Sequence, residues 1–153
     1  MKWTFIVALV LSCLVGMLVT AIFYEIPFAS ASPEQLSPTD RVSEDQVLIF
    51  PDYILINIKN AKWASFADTN SMDPLIDKGA NALQVIPQTP TEIQVGDVIS
   101  YQHEGDRIIH RVVYIGEDEQ GWYCIVKGDN NKVSDPGKVR FDKIDRVLFG
   151  VLY

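Results

Sequence analysis

The stretch GDVISYQHEGDRIIHRVVYIGEDEQGWYCIVK, Gly96 to Lys127, decides the fold. Three runs rich in Val, Ile, Tyr and Trp, at 96–102, 107–115 and 121–127, are punctuated by Glu104-Gly105-Asp106 and Glu119-Gln120-Gly121. β-branched and aromatic residues suit a pleated, half-buried surface, and Gly beside acidic or amide residues suits the tight reversals between strands. Working outward, the same grammar recurs at 47–50, 53–58, 62–67, 81–86 and 146–152. Pro51-Asp52, Lys59-Asn60 and Gly128-Asp129-Asn130-Asn131 supply further turns. No stretch of useful length after residue 47 carries a helical period, which disfavours a βαβ nucleotide fold and predicts an all-β domain over 47–153.

Toward the amino end the pattern changes. Trp3 to Tyr24 is a run of 22 uncharged, largely apolar residues. As a helix it would extend about 33 Å, enough for a hydrocarbon core of about 30 Å. Lys2 precedes the run, Glu25 follows it, and the next basic residue is Arg41. That asymmetry predicts a single-pass anchor over residues 1–25, with the amino terminus cytoplasmic and the rest of the chain outside the cell membrane. Ala29-Ser30-Ala31 has the small-x-small form of a cleavage site, but removable signals carry apolar stretches of only about 7 to 15 residues, so a retained anchor is the reading. Residues 26–46, with Pro27, Pro33, Pro38 and several Ser, Asp and Glu, read as a linker.

Charge and cysteine content narrow the partners. The 153 residues hold 13 Lys and Arg against 20 Asp and Glu, a net charge of −7, and beyond the anchor there is no basic run or stripe. Nucleic acid is a poor partner for such a surface. Cys13 lies in the apolar run and Cys124 in the strand run 121–127, so the two thiols occupy different solvents and form no disulfide framework. Cys124 reads as a small buried hydrophobe.

Three places carry polar groups able to do chemistry. Thr69-Asn70-Ser71-Met72-Asp73-Pro74 follows a strand run and ends in proline, so the chain leaves the ladder there and can present Ser71, although a serine between Asn and Asp is commonly a plain turn residue. In Arg107-Ile108-Ile109-His110-Arg111-Val112-Val113-Tyr114, period two places His110 on a face with Ile108, Val112 and Tyr114, and both arginines on the other. The bland alternative is a core histidine satisfied by a nearby backbone group. His103, beside Glu104-Gly105-Asp106, reads as a solvated loop residue. The loop Lys127 to Gly137 offers two carboxylates, Asp129 and Asp135, either of which could orient an imidazole. As a calcium loop it fails, because Val133 stands where an oxygen ligand belongs, Ser134 replaces the required Gly, and Arg140 occupies the place of a bidentate Glu. No metal or cofactor site is expected.

Ser71-Met72-Asp73-Pro74, Gly96-Asp97-Val98-Ile99, Ile109-His110-Arg111-Val112 and Lys127-Gly128-Asp129-Asn130-Asn131 occur in that order. Together they resemble the type I signal peptidases over roughly residues 63 to 152. A histidine before the Arg-Val pair, where the bacterial branch has lysine, resembles the endoplasmic-reticulum and archaeal branch. The resemblance implies a signal-peptidase-like β-fold catalytic domain behind one transmembrane helix, with Ser71 as nucleophile, His110 as general base and Asp135 as its orienting acid. Asp129 would act in support, and Thr69 with the Ser71 N–H would stabilise the oxyanion. It further implies a serine endopeptidase that cleaves signal peptides from exported preproteins at the bilayer, with the protein-export translocon as a partner. Two positions depart from the family: Asn70 stands where Gly is commoner, and Lys78-Gly79-Ala80 where a Gly-Asp pair belongs. The alternative, an inactive membrane-tethered β-domain that serves as a binding or accessory module, takes these as signs of a decayed site.

Overall fold

The computed structural model describes residues 36–153, and the apolar run Trp3 to Tyr24, Ala29-Ser30-Ala31 and the first part of the linker lie outside the described residues. No helix among the described residues is long and apolar enough to cross a membrane. Among the described residues, nine antiparallel strands, with three single-turn 3₁₀ segments, make the all-β architecture. β1 (Val47–Ile49) and β2 (Ile54–Ile56) form a separate two-stranded ribbon. The other seven are β3 (Lys62–Ser65), β4 (Asn81–Val85), β5 (Val98–His103), β6 (Asp106–Asp118), β7 (Gly121–Lys127), β8 (Val139–Arg140) and β9 (Ile144–Leu152), in sheet order β3-β4-β9-β5-β6-β7-β8.

Local chemistry sets the turns. β5 and β6 are joined by Glu104-Gly105, both at positive φ (51° and 95°), the backbone that a two-residue hairpin of matching twist requires. β9 inserts between β4 and β5, so the last strand is central. Val147, opposite Ile99, and Leu148 point into different cores. One core gathers Ile99, Tyr101, Val112, Cys124, Val126, Ile144 and Val147; the other gathers Met72, Ile76, Ala80, Ala82, Val98 and Leu148. Each fully buried Val, Ile or Leu contributes roughly 1.5–3 kcal/mol, so these clusters rather than any cross-link hold the domain.

The strand runs at 47–50, 53–58, 62–67, 81–86, 96–102, 107–115, 121–127 and 146–152 correspond to β1–β7 and β9, with two informative differences. β8 has only two residues, too short for a periodic signal. Arg140 fastens it, reaching the carbonyls of Gly121 and Trp122 and the Asp118 carboxylate. Arg140 and then Lys138 hold that carboxyl well below the usual carboxylate range. In β6, strict alternation predicts Tyr114 on the face of His110, but the pairing slips between Val112 and Tyr114, and Tyr114 lies exposed. An extra residue in one strand reverses the faces beyond it, which pattern alone does not reveal. Arg111, expected on the face opposite His110, is itself buried.

The described end of the linker does not stand free. Asp97 is fully buried and gathers the Thr39 N–H (2.8 Å), the Gln94 N–H (2.9 Å) and the Arg41 guanidinium (2.5 Å). A buried carboxylate without such donors would be costly, so residues 39–41 are drawn onto the domain. Gly96, at φ 103°, has the Ser37 carbonyl where a Cβ would stand.

Two outcomes follow from this packing. Asp97→Ala strands the Arg41 guanidinium and should lower unfolding free energy by about 3 kcal/mol in urea titrations; an unchanged midpoint would mean the pair contributes nothing net. Burial pushes the Cys124 thiol up to about 12, so in a Cys13→Ser protein a water-soluble maleimide should label position 124 only after unfolding.

Candidate active site

The chain leaves β3 at Ser65 and reverses through Asn70, which sits at φ 55° in the left-handed region. Asparagine tolerates that backbone better than most residues, so it can stand where glycine is the commoner choice. Beyond it, Met72 and Ile76 are buried in the second core, and the Ile76 N–H donates to the Met72 carbonyl (3.0 Å). Ala80, at the end of the Lys78-Gly79-Ala80 stretch, packs in the same core. Ser71 is therefore presented by a loop whose underside is apolar.

A second loop clamps it from the side. The Asn130 N–H donates to the Ser71 carbonyl (3.0 Å) and the Asn130 side-chain amide to the Asn70 carbonyl (2.9 Å). A Cβ on Gly128 would come within 2.5 Å of the Ser71 carbonyl oxygen, so only glycine permits this approach. Asp129 does not supply the imidazole's partner. Its two oxygens take a fork from Arg111, at 2.7 Å from Nε and 2.6 Å from Nη2, binding the loop to β6.

The imidazole stands between hydroxyl and carboxylate. His110 Nε2 is 3.1 Å from Ser71 Oγ, and His110 Nδ1 is 2.5 Å from Asp135 Oδ2. A carboxylate at Nδ1 favours the tautomer with the proton there, leaving the Nε2 lone pair toward the serine. Asp135 is steadied by its own N–H, which donates to the Val126 carbonyl (2.9 Å), and by the Tyr101 hydroxyl, which donates to Oδ2 (2.5 Å). Burial first, and then this hydrogen bond, push the Tyr101 phenol well above its ordinary range, so it remains a donor. Of the two carboxylates left open by the sequence, Asp135 meets His110 and Asp129 meets Arg111.

Thr69 Oγ1 lies 3.3 Å from Ser71 Oγ. Among the described residues the Ser71 N–H donates to no backbone carbonyl. Ser71, His110 and Thr69 all line a cleft of about 660 Å³, walled by Ala64, Phe66, Met72, Ile76 and Ile109. His103 lies at the end of β5, outside this constellation. Among the described residues no group of three or more His, Cys, Asp or Glu side chains could hold a metal ion. Nothing in the sequence singles out Tyr101, which stands in an apolar strand run and is linked to Asp135 only through tertiary pairing. The same holds for the buried Gln84 and Ser100 in the cleft lining.

A serine, an imidazole and a carboxylate in series can deprotonate the hydroxyl during attack on an electrophile. A fluorophosphonate should therefore label Ser71 in the folded protein, and His110→Ala should abolish labelling. Tyr101→Phe keeps the ring in the core and should slow labelling about tenfold through a less firmly held Asp135; an unaltered rate would make the hydroxyl irrelevant to the series. Comparison with family models, curated proteins and solved structures finds no match for this chain.

Proposed function

We propose that this protein is a membrane-anchored serine endopeptidase of the signal peptidase I type, which removes signal peptides from exported preproteins outside the cell membrane. The observation that carries the reading is the series Ser71 Oγ, His110 Nε2, His110 Nδ1 and Asp135 Oδ2, at 3.1 and 2.5 Å, opening on a cleft. In this reading His110 takes the hydroxyl proton as Oγ attacks the scissile carbonyl carbon. Asp135 steadies the imidazolium, and the Ser71 N–H and Thr69 hydroxyl face the oxyanion. Collapse breaks the C–N bond while His110 hands its proton to the departing amine. Water then attacks the acyl-serine, giving a proton to His110, which returns it to Ser71 as the carboxylate leaves.

Two further features support the reading. β3 is an edge strand of the seven-stranded sheet and contributes Ala64 and Ser65 to the cleft, so an extended substrate can add beside it through backbone hydrogen bonds. The β1–β2 ribbon leaves Leu48, Ile49, Tyr53, Ile54 and Leu55 exposed, an apolar surface of the kind that meets a membrane or another protein. Confinement of enzyme and preprotein to one interfacial layer, beside the translocon, raises their effective concentration without any new contact. The departures that motivate an inactive binding module, Asn70 and Ala80, are each accommodated by the local backbone and packing.

The full chain in detergent should cleave a labelled preprotein once, at the end of its signal. Ser71→Ala and His110→Ala should each abolish cleavage, and Thr69→Val should slow it by about 10²–10³. Full activity in either of the first two variants would overturn the peptidase reading and leave the tethered binding module.

A further inference from the structure

Seven of the ten residues from Val47 to Ile56 are large apolar or aromatic side chains that lie exposed. The β1–β2 ribbon they form is closed on itself. At its open end the Asn57 N–H donates to the Gln46 carbonyl (2.8 Å), and at the turn the Phe50 N–H donates to the Tyr53 carbonyl (2.9 Å), with the two rings stacked at 4.5 Å. The cross-strand pairs fall on alternate faces: Ile49 with Ile54 on one, 79% and 64% exposed, and Leu48 with Leu55 on the other. A ribbon that covers a core has one apolar face and one polar face, but this one is apolar on both. Asp52, at the turn, is its only charge.

We infer that this ribbon seats in the boundary between headgroups and acyl chains of an anionic bilayer, as a second membrane contact beside the Trp3 to Tyr24 run. It rests on the anchored part of the reading above. Residues 36–41 are fastened to the domain, through Leu36 on Arg111 and through Thr39 and Arg41 on Asp97. The eleven residues between Tyr24 and Leu36 extend about 40 Å at most, so the tether confines the domain to the bilayer surface. A protein partner laid on one face of the ribbon leaves the other in water, whereas the acyl boundary meets both. Residues 53–66 carry Lys59 and Lys62 and no acid, in a chain of net charge −7, so an anionic leaflet attracts this segment while it repels the rest. Tyr53 at the turn and Trp63, exposed on β3, are of the types that prefer that depth. Each strand of the ribbon has one edge outside the two-stranded ladder, and unpaired N–H and C=O groups are costly in hydrocarbon. The seat is therefore shallow, and the Asp52 carboxylate stays in water. Only five residues lead from Ile56 to β3, whose edge lines the cleft, so the seated ribbon holds that edge at the level where a signal peptide leaves lipid.

The test places an environment-sensitive fluorophore on single cysteines of the full chain, in a Cys13→Ser background, reconstituted in vesicles of phosphatidylcholine and phosphatidylglycerol. Cys124 is buried and does not compete for the label. Ile49→Cys and Leu55→Cys carry one label on each face of the ribbon, and Val133→Cys, at an exposed loop position, is the reference. Ile54→Cys or Leu48→Cys replaces a labelled variant that fails to melt cooperatively. Emission from both ribbon labels should shift to the blue and be lost when the acyl chains carry bromine near the headgroup, while iodide in the water should quench the label at 133 alone. Iodide quenching of both ribbon labels, with none from the brominated lipid, would overturn the inference and leave the ribbon free for a protein partner. Lipid quenching on one face only would also overturn it, and so would equal lipid quenching at 133, since the whole domain and not the ribbon would then lie on the bilayer. The readout needs no substrate, so a chain that seats but does not cleave loses the peptidase reading alone. A chain that fails to float with the vesicles loses the anchor and this inference together.

Discussion

The buried guanidinium of Arg111 is the constraint on which the rest of the structure depends. Its two donor edges hold Asp129 in a fork, and Nη1 reaches the carbonyls of Gly96 (2.8 Å) and Leu36 (3.1 Å). Three segments far apart in sequence are thus tied to one residue of β6: the start of the described chain, the corner before β5, and the 128–131 turn. That turn in turn holds the backbone of Ser71 through Asn130. Removing water from a cation is expensive, and the cost is offset here only because the carboxylate and the two carbonyls converge on it. The arrangement contributes position more than stability, since a hydrophobic substitute could fill the space but could not fix three loops in register.

His110 and Arg111 are neighbours on β6, and alternation sends them to different sides of the strand. One faces the hydroxyl and the carboxylate; the other organises the loop that delivers the hydroxyl. The site also straddles both cores. Met72, adjacent to Ser71, is buried in one, and Tyr101, which holds Asp135, is buried in the other. Relative movement of the two clusters would separate serine from imidazole, so packing on both sides of the sheet sets a distance that neither core fixes by itself.

Much of this was legible in the sequence, for identifiable reasons. Six long or strongly patterned strands and the apolar β1–β2 run announce themselves through Val, Ile and aromatic content bounded by turn residues, because local propensity and burial agree there. Ser71 and His110 were legible only as an ordered set of blocks, since each by itself reads as a turn serine or a core histidine. The choice between Asp129 and Asp135 was not legible in the residues, because both stand in one loop and only the fold decides which meets the imidazole. The Val113 bulge, the two-residue β8 and the docking of residues 36–41 depend on pairings across long separations. Tyr101 and Gln84 were invisible for the same reason: a polar atom in an apolar strand run gives no hint of its partner.

Burial across the site is graded, and the gradient has a consequence for chemistry. Thr69 is exposed, Ser71 and Asp135 are half-buried and His110 is buried, and Asp135 is held by the Tyr101 hydroxyl and the Val126 carbonyl. The ion-pairing end of the series, where an imidazolium must be stabilised, is already held by fixed donors in a poorly solvated setting. There an electrostatic interaction is stronger than in water and needs no reorganisation as charge develops. The attacking end and the Thr69 hydroxyl are still open to solvent. An extended chain laid along β3 would cover them and displace water from the oxyanion side, so that hydroxyl, imidazole and carboxylate are desolvated together only with a peptide bound. In the proposed peptidase reading, activation of Ser71 would in this way be coupled to occupancy of the cleft, and the exposed half of the site would be the part a substrate completes.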